Sequence, residues 1–96
     1  MTVLLESVIE QRVYAWASAH GWYPKKMATP GRRGTADHYF HGFGRIVVVE
    51  FKRPGERPRG SQSEEHAKLM RHGIRVYVID SVEQGIALLR NLGGTQ

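Results

Sequence analysis

Cysteine is absent from this chain of 96 residues. Disulfide bridges and thiolate zinc sites are therefore excluded, and a reducing, intracellular setting fits. No stretch comes near the roughly 20 consecutive apolar residues that a membrane span needs. The opening Met1–Leu5 lacks a basic segment and meets Glu6 too early for a signal peptide. A cytoplasmic protein with no membrane association is expected. Internal repeats and low-complexity tracts are also missing, which leaves a single domain over residues 1–96. Acidic residues are scarce, 9 Asp and Glu against 14 Lys and Arg, for a formal charge of +5 and a pI near 10.0. That balance favours a polyanionic partner such as nucleic acid. So short a chain lies at the small end of what folds on one hydrophobic core, so association with a second copy is expected.

What is present reads as alternating helices and strands. Leu5, Ile9, Val13, Trp16, Ala17 and His20 share one helical stripe, which predicts a first helix over residues 3–20 stopped by Gly21. Trp22 to Ala28 reads as a strand, an edge strand because it carries Pro24. Pro30-Gly31-Arg32-Arg33-Gly34 is a basic glycine-rich loop. Residues 37–41 and 45–52 form a hairpin around Gly42-Phe43-Gly44. In its second strand both alternating sets, Ile46/Val48 and Val47/Val49/Phe51, are apolar, so cover on both faces is expected. Ser61 with Glu64 forms a capping box that opens a second helix through about Arg71, stopped by Gly73. Ile74 to Ile79 is a short buried strand. Ser81 with Gln84 repeats the capping signature before a last helix striped by Val82, Ile86, Leu89 and Leu92 and ending at Gly93-Gly94. The expected fold is an α/β sandwich in which a mixed four-stranded sheet is flanked by helices. Its order is αβββαβ plus a C-terminal helix, with a right-handed parallel crossover through the second helix.

The chemistry concentrates in Asp37 and in Glu50-Phe51-Lys52, thirteen residues further on. Two converging carboxylates can hold a hard divalent cation, because Mg²⁺ prefers oxygen ligands. Residues two apart on a strand point to one sheet face, so Lys52 lies beside the Glu50 carboxylate. An ammonium next to a metal site suits hydrolysis of a phosphodiester, where negative charge builds on the phosphorus oxygens. The same Glu50/Lys52 pair also fits a plain strand-end salt bridge.

Gly34-Thr35-Ala36-Asp37, Val47-Val48-Val49-Glu50-Phe51-Lys52, Pro54-Gly55-Glu56-Arg57 and Gln62 together resemble the virus-type replication-repair nuclease (VRR-NUC) domain of the PD-(D/E)XK nuclease superfamily. The resemblance runs from about Glu6 to the last helix, with one departure: Ala36 stands where the motif has proline. It implies an acidic cluster of Glu10, Asp37 and Glu50, with Lys52 as the catalytic lysine and Gln62 as the glutamine that opens the following helix. Asp37 and Glu50 would bind Mg²⁺ or Mn²⁺, with the Phe51 carbonyl as a neutral oxygen ligand. Glu10 would hold a second metal or anchor a metal-bound water. Glu6, one turn earlier, competes for that place, and both also fit a solvated helix face. Gln62 equally fits an ordinary first-turn residue.

Basic residues bracket the cluster. Lys25, Lys26, Arg32 and Arg33 precede it and Arg53, Arg57 and Arg59 follow, a distribution suited to phosphate contacts. Lys26 also matches a lysine of the family. A nucleotide site is not expected, because Gly55–Ser61 lacks the P-loop lysine. His38 and His41 splay on a strand, and His66 and His72 do not share a helix face, so no histidine metal site is read. The resemblance implies a metal-dependent DNA endonuclease, a homodimer acting on branched DNA such as four-way (Holliday) junctions, and a bacteriophage origin with work in the host cytoplasm. Two other readings stay open: a nucleic-acid-binding module with the same fold and little turnover, and an interaction domain with fortuitous motifs. Trp22, Tyr23, Tyr39, Phe40 and Phe43 crowd the first hairpin, which suits either a dimer interface or the monomer core.

Overall fold

The computed structural model describes residues 5–28, 36–58 and 60–93, with the backbone alone at 28, 36, 37 and 61. The elements run α1 (Glu6–Ala19), β1 (Tyr23–Ala28), β2 (Ala36–Gly42), β3 (Arg45–Phe51), α2 (Gly60–Arg71), β4 (Val76–Ile79) and α3 (Val82–Gly93). The sheet order is β1-β2-β3-β4, antiparallel between β1 and β2 and between β2 and β3, and parallel between β3 and β4. This is the mixed sheet expected, with Pro24 on an edge strand.

Strand alternation divides the domain into two layers. His38, Phe40, Val47, Val49, Phe51 and Ile79 face α1 and α3, where Ile9, Val13, Ala17 and Leu89 complete the core. Glu50 and Val48 face the other way, toward α2. Cover on that second face is partial, contrary to expectation. Val48 is buried but Ile46 is 58% exposed. The reason is that α2 crosses the Glu50 end of β3 and leaves the hairpin end open. A groove of about 600 Å³ results, with Phe43, Ile46, Leu69 and Ile74 among its walls.

Other boundaries differ from the sequence reading in small ways. α1 starts at Glu6; Leu5 is its N-cap residue and is exposed, as is the C-cap residue His20, whose Nδ1 donates to Trp16 O (2.7 Å) instead of joining the core. Trp22 precedes β1 and is buried. α2 begins at Gly60, ahead of Ser61, so the Ser61–Glu64 box does not mark its start. The second box holds: Gln84 N–H donates to Ser81 Oγ (3.1 Å), and the Gln84 side chain accepts from Asp80 N–H (2.9 Å). β4 is shorter than expected because Ile74 and Arg75 remain outside it and exposed.

The β2–β3 hairpin closes in two residues, Phe43 (φ 54°) and Gly44 (φ 75°), between the paired Gly42 and Arg45. Positive φ at both central positions matches the turn whose twist suits a hairpin. For phenylalanine this conformation costs roughly 1–2 kcal/mol. Its ring packs edge-on against Trp22 at 5.1 Å, which helps to offset the cost.

Gly85 marks a close approach of α3 to α1. A Cβ built there would lie 2.7 Å from Val13 Cγ2. Replacing glycine by alanine within a helix normally gains roughly 1 kcal/mol. Here the short, stiff valine cannot swing away, so Gly85→Ala is expected to lower the denaturation midpoint. Thermal melting checks this, and a midpoint raised by the usual helix gain would show that the two helices are not in such tight contact.

Candidate active site

Glu50 is buried at the end of β3, only 4% exposed. A carboxylate removed from water requires compensating donors. His66 Nε2 provides one at 2.8 Å from Oε1. Lys52 Nζ stands 3.3 Å from Oε2. That distance is within ion-pair range, and the same ammonium, which has three donors, gives a hydrogen bond to Gln62 Oε1 2.9 Å away. Among the described residues Oε2 is thus met by the lysine charge but by no well-directed hydrogen bond. The salt-bridge reading of this pair is realised as a distance.

The geometry follows from matching repeats. Residues two apart on a strand rise about 6.6–6.8 Å, and residues four apart on a helix about 6 Å. Gln62 and His66 on α2 thus lie over Lys52 and Glu50 on β3. Lys52, one residue past the strand, is fixed by its N–H donating to Ile79 O at 2.8 Å. The sequence reading missed His66 because it compared this histidine only with His72, whereas the spacing that counted was to Gln62.

A second cluster occupies the opposite face. Tyr14 donates to His38 Nδ1 (2.6 Å), and His38 Nε2 lies 3.5 Å from Glu10 Oε1. Burial, reinforced by Lys26, holds the His38 pKa down to about 4. At neutral pH the ring is uncharged with its proton on Nε2, so the contact with Glu10 is not an ion pair. Burial also raises the Glu10 pKa, with Lys26 opposing and Glu6 adding to the rise. Tyr14 is pushed up to about 12 by burial and then by the Glu10 charge. Between Glu6 and Glu10, it is Glu10 that meets the sheet; Glu6 acts on it through charge.

The backbone of Asp37 lies in β2, paired with Met27 of β1. His38↔Val49 is the last β2–β3 pair, so Asp37 and Glu50 are the next residues outward on neighbouring strands. The Asp37 backbone thus stands next to His38 of one cluster in the chain and level with Glu50 of the other across the sheet. No group of three or more His, Asp or Glu suited to a metal occurs among the described residues, which leave out the Asp37 side chain. The donor chemistry nonetheless fits a hard cation: Glu50 Oε2 is a carboxylate oxygen that no hydrogen bond among the described residues occupies, and Phe51 ends the strand beside it. Lys25, Lys26, Arg53 and Arg57 are exposed, as phosphate contacts require. The loop 53–56 is fixed by Gly55 N–H donating to Asp80 Oδ2 at 3.0 Å. Arg32, Arg33 and Arg59 lie outside the described residues.

A mixed sheet whose central strand ends in a buried glutamate and a neighbouring lysine defines a PD-(D/E)XK-type domain. No family model matches the chain. A provisionally named nuclease, p44, of Acyrthosiphon pisum secondary endosymbiont phage 1 is 38% identical over 82 residues, which are 84% of this chain and 88% of the relative. A solved structure described as a VRR_NUC domain matches with a TM-score of 0.78 at 26% identity, over 88% of this chain and 94% of that one. The chain belongs to the VRR-NUC family.

The low pKa of His38 has a consequence for stability. In the unfolded chain histidine titrates near 6.5, so from there down to about 4 the unfolded state takes up a proton that the folded state refuses. The stability due to neutral His38 is complete above pH 6.5 and is lost as pH falls toward 4. Glu10, whose pKa is raised on folding, acts in the opposite sense. His38→Gln removes the first effect, so its melting temperature should fall less steeply over this interval than that of the wild type. Parallel curves would mean that His38 does not titrate as its burial requires.

Proposed function

We propose that this chain is a Mg²⁺- or Mn²⁺-dependent DNA endonuclease that hydrolyses phosphodiester bonds, acts as a homodimer and prefers branched DNA such as four-way junctions. The observation that carries the reading is the buried Glu50 carboxylate, whose Oε2 meets the Lys52 ammonium at 3.3 Å and accepts no well-directed hydrogen bond among the described residues. Glu50, Asp37 and the Phe51 carbonyl would hold the ion. When bound, it supplies Lewis-acid polarisation of the phosphate and lowers the pKa of an attacking water. Lys52, oriented by Gln62, supplies positive charge where the phosphorus oxygens become more negative. Glu10, at the other side of Asp37, would anchor a water or a second ion. Water attacks in line and the 3′ oxygen leaves. Lys26, Arg53 and Arg57, with Arg32, Arg33 and Arg59, would contact phosphates and draw affinity from counterion release. No nucleotide cofactor enters this scheme. The phage relative supports a phage origin and action in the host cytoplasm, and no described helix is long and apolar enough to cross a membrane.

Exposed apolar side chains support pairing. Trp22 and Phe40 are buried in the monomer, but Phe43, Ile46, Met70 and Ile74 remain 44–58% exposed. Phe43, Ile46 and Ile74 border the open groove. A two-fold pair would present two sites to one junction. The competing reading, a binding module without turnover, has the basic charge in its favour and is separated by titrating Mg²⁺ and Mn²⁺ against junction cleavage.

Asp37→Asn and Glu50→Gln should each abolish cleavage and retain DNA binding in a gel-shift assay. Lys52→Ala should lower turnover by about 10², with a smaller effect on metal affinity. Near wild-type cutting by either acid variant, with stray metal chelated, would overturn the assignment.

The quaternary proposal is tested separately. Light scattering should give twice the monomer mass, and four-way substrates should be cut in preference to linear duplex. A monomer that cuts both equally would sink the dimer and junction proposals and leave the hydrolytic chemistry standing.

A further inference from the structure

We propose that His66 is a positioning residue that determines which oxygen of Glu50 is offered to the cation; this rests on the metal-dependent reading above. A carboxylate only accepts hydrogen bonds, so the 2.8 Å contact means that His66 Nε2 carries the proton and engages Oε1. The other oxygen is buried, lies 3.3 Å from the Lys52 ammonium and accepts no well-directed hydrogen bond among the described residues. His66 itself is largely enclosed, 18% exposed at the side chain, against 6% for Glu50. Its ring therefore holds the carboxylate in one rotation, with Oε2 toward Lys52.

The neighbouring contact adds to charge pairing. Lys52 stays 3.3 Å from Oε2, within ion-pair range. α2 gives each partner a second contact, Gln62 taking Lys52 and His66 taking Glu50. Among the described residues Oε2 therefore keeps the lysine charge nearby while no well-directed hydrogen bond occupies it. His72, one residue past the end of α2, instead bonds through its ring to the carbonyl of Lys68 in the last turn. The arrangement at His66 is thus particular to the site. Groups that orient a metal-binding carboxylate typically contribute 10–100-fold in metal affinity or activity.

Two substitutions separate hydrogen bonding from packing. His66→Gln keeps an N–H donor near the place of Nε2, while His66→Phe fills similar space without one. Mn²⁺ binding to the DNA-free protein is read by electron paramagnetic resonance, with Glu50→Gln as the control and thermal melting as the check on folding. His66→Phe should bind Mn²⁺ about 10–100-fold more weakly and need correspondingly more metal for half-maximal cleavage. His66→Gln should stay close to the wild type. Equal weakening in both folded variants would overturn the proposal, since the lost feature would then be packing. Wild-type Mn²⁺ binding by His66→Phe, with binding lost in Glu50→Gln, would overturn it too and leave the metal site intact. Unchanged binding in Glu50→Gln would instead remove the metal-site reading itself, and this proposal with it. Should His66→Phe not fold, His66→Ala with added imidazole gives the same contrast. Recovery of Mn²⁺ binding by imidazole supports the role, and no recovery overturns it.

Discussion

A carboxylate buried at the end of a central strand constrains everything around it. Glu50 cannot be left alone in its pocket, because an unpaired buried charge costs several kcal/mol. α2 crosses the sheet where it can bring His66 and Gln62 over the strand end. Lys52 is drawn in beside the carboxylate and tied to β4 through its backbone. Among the described residues Oε1 has a hydrogen bond and Oε2 only the lysine charge at 3.3 Å. The two oxygens of one buried carboxylate are thus held in different ways.

Register on β3 keeps the two layers distinct. Val47, Val49 and Phe51 fill the core against α1 and α3, and burying each contributes about 1.5–3 kcal/mol. A one-residue slip would turn them outward and drive Glu50 among Ile9, Val13 and Leu89. Its cost is comparable with the whole stability of an ordinary domain, about 5–15 kcal/mol. The apolar pattern on one face therefore positions the Glu50–Lys52 pair on the other. Core packing and site geometry are one constraint read from opposite sides of the strand.

Much of this was legible in the sequence because it depends on local period and spacing. The β-branched run over residues 46–49, the turn glycines and the Ser81–Gln84 box give the elements and their order. The two-residue offset of Glu50 and Lys52 gives their shared face. What escaped depends on how elements cross. Ile46 looks as apolar as Val48, and only the path of α2 leaves the first exposed and the second covered. His66 was overlooked because its importance comes from lying over Glu50, a contact between distant elements that helix spacing alone does not reveal. Glu10 and Tyr14 share a face of α1 by their spacing of four, but their meeting with His38 of β2 joins distant elements and has no sequence spacing of its own.

The two clusters share a design that bears on Glu10. Each sets a carboxylate against a histidine Nε2, Glu50 hydrogen-bonded to His66 at 2.8 Å and Glu10 3.5 Å from His38. The histidines differ in burial and in their second contact. His38 is almost fully enclosed, with the tyrosine hydroxyl at Nδ1, while the His66 side chain is 18% exposed. The short contact fixes the Glu50 carboxylate through one oxygen. The longer one leaves Glu10, whose charged form burial disfavours, more weakly held. The two carboxylates therefore differ in how firmly the fold orients them, Glu50 being the better defined.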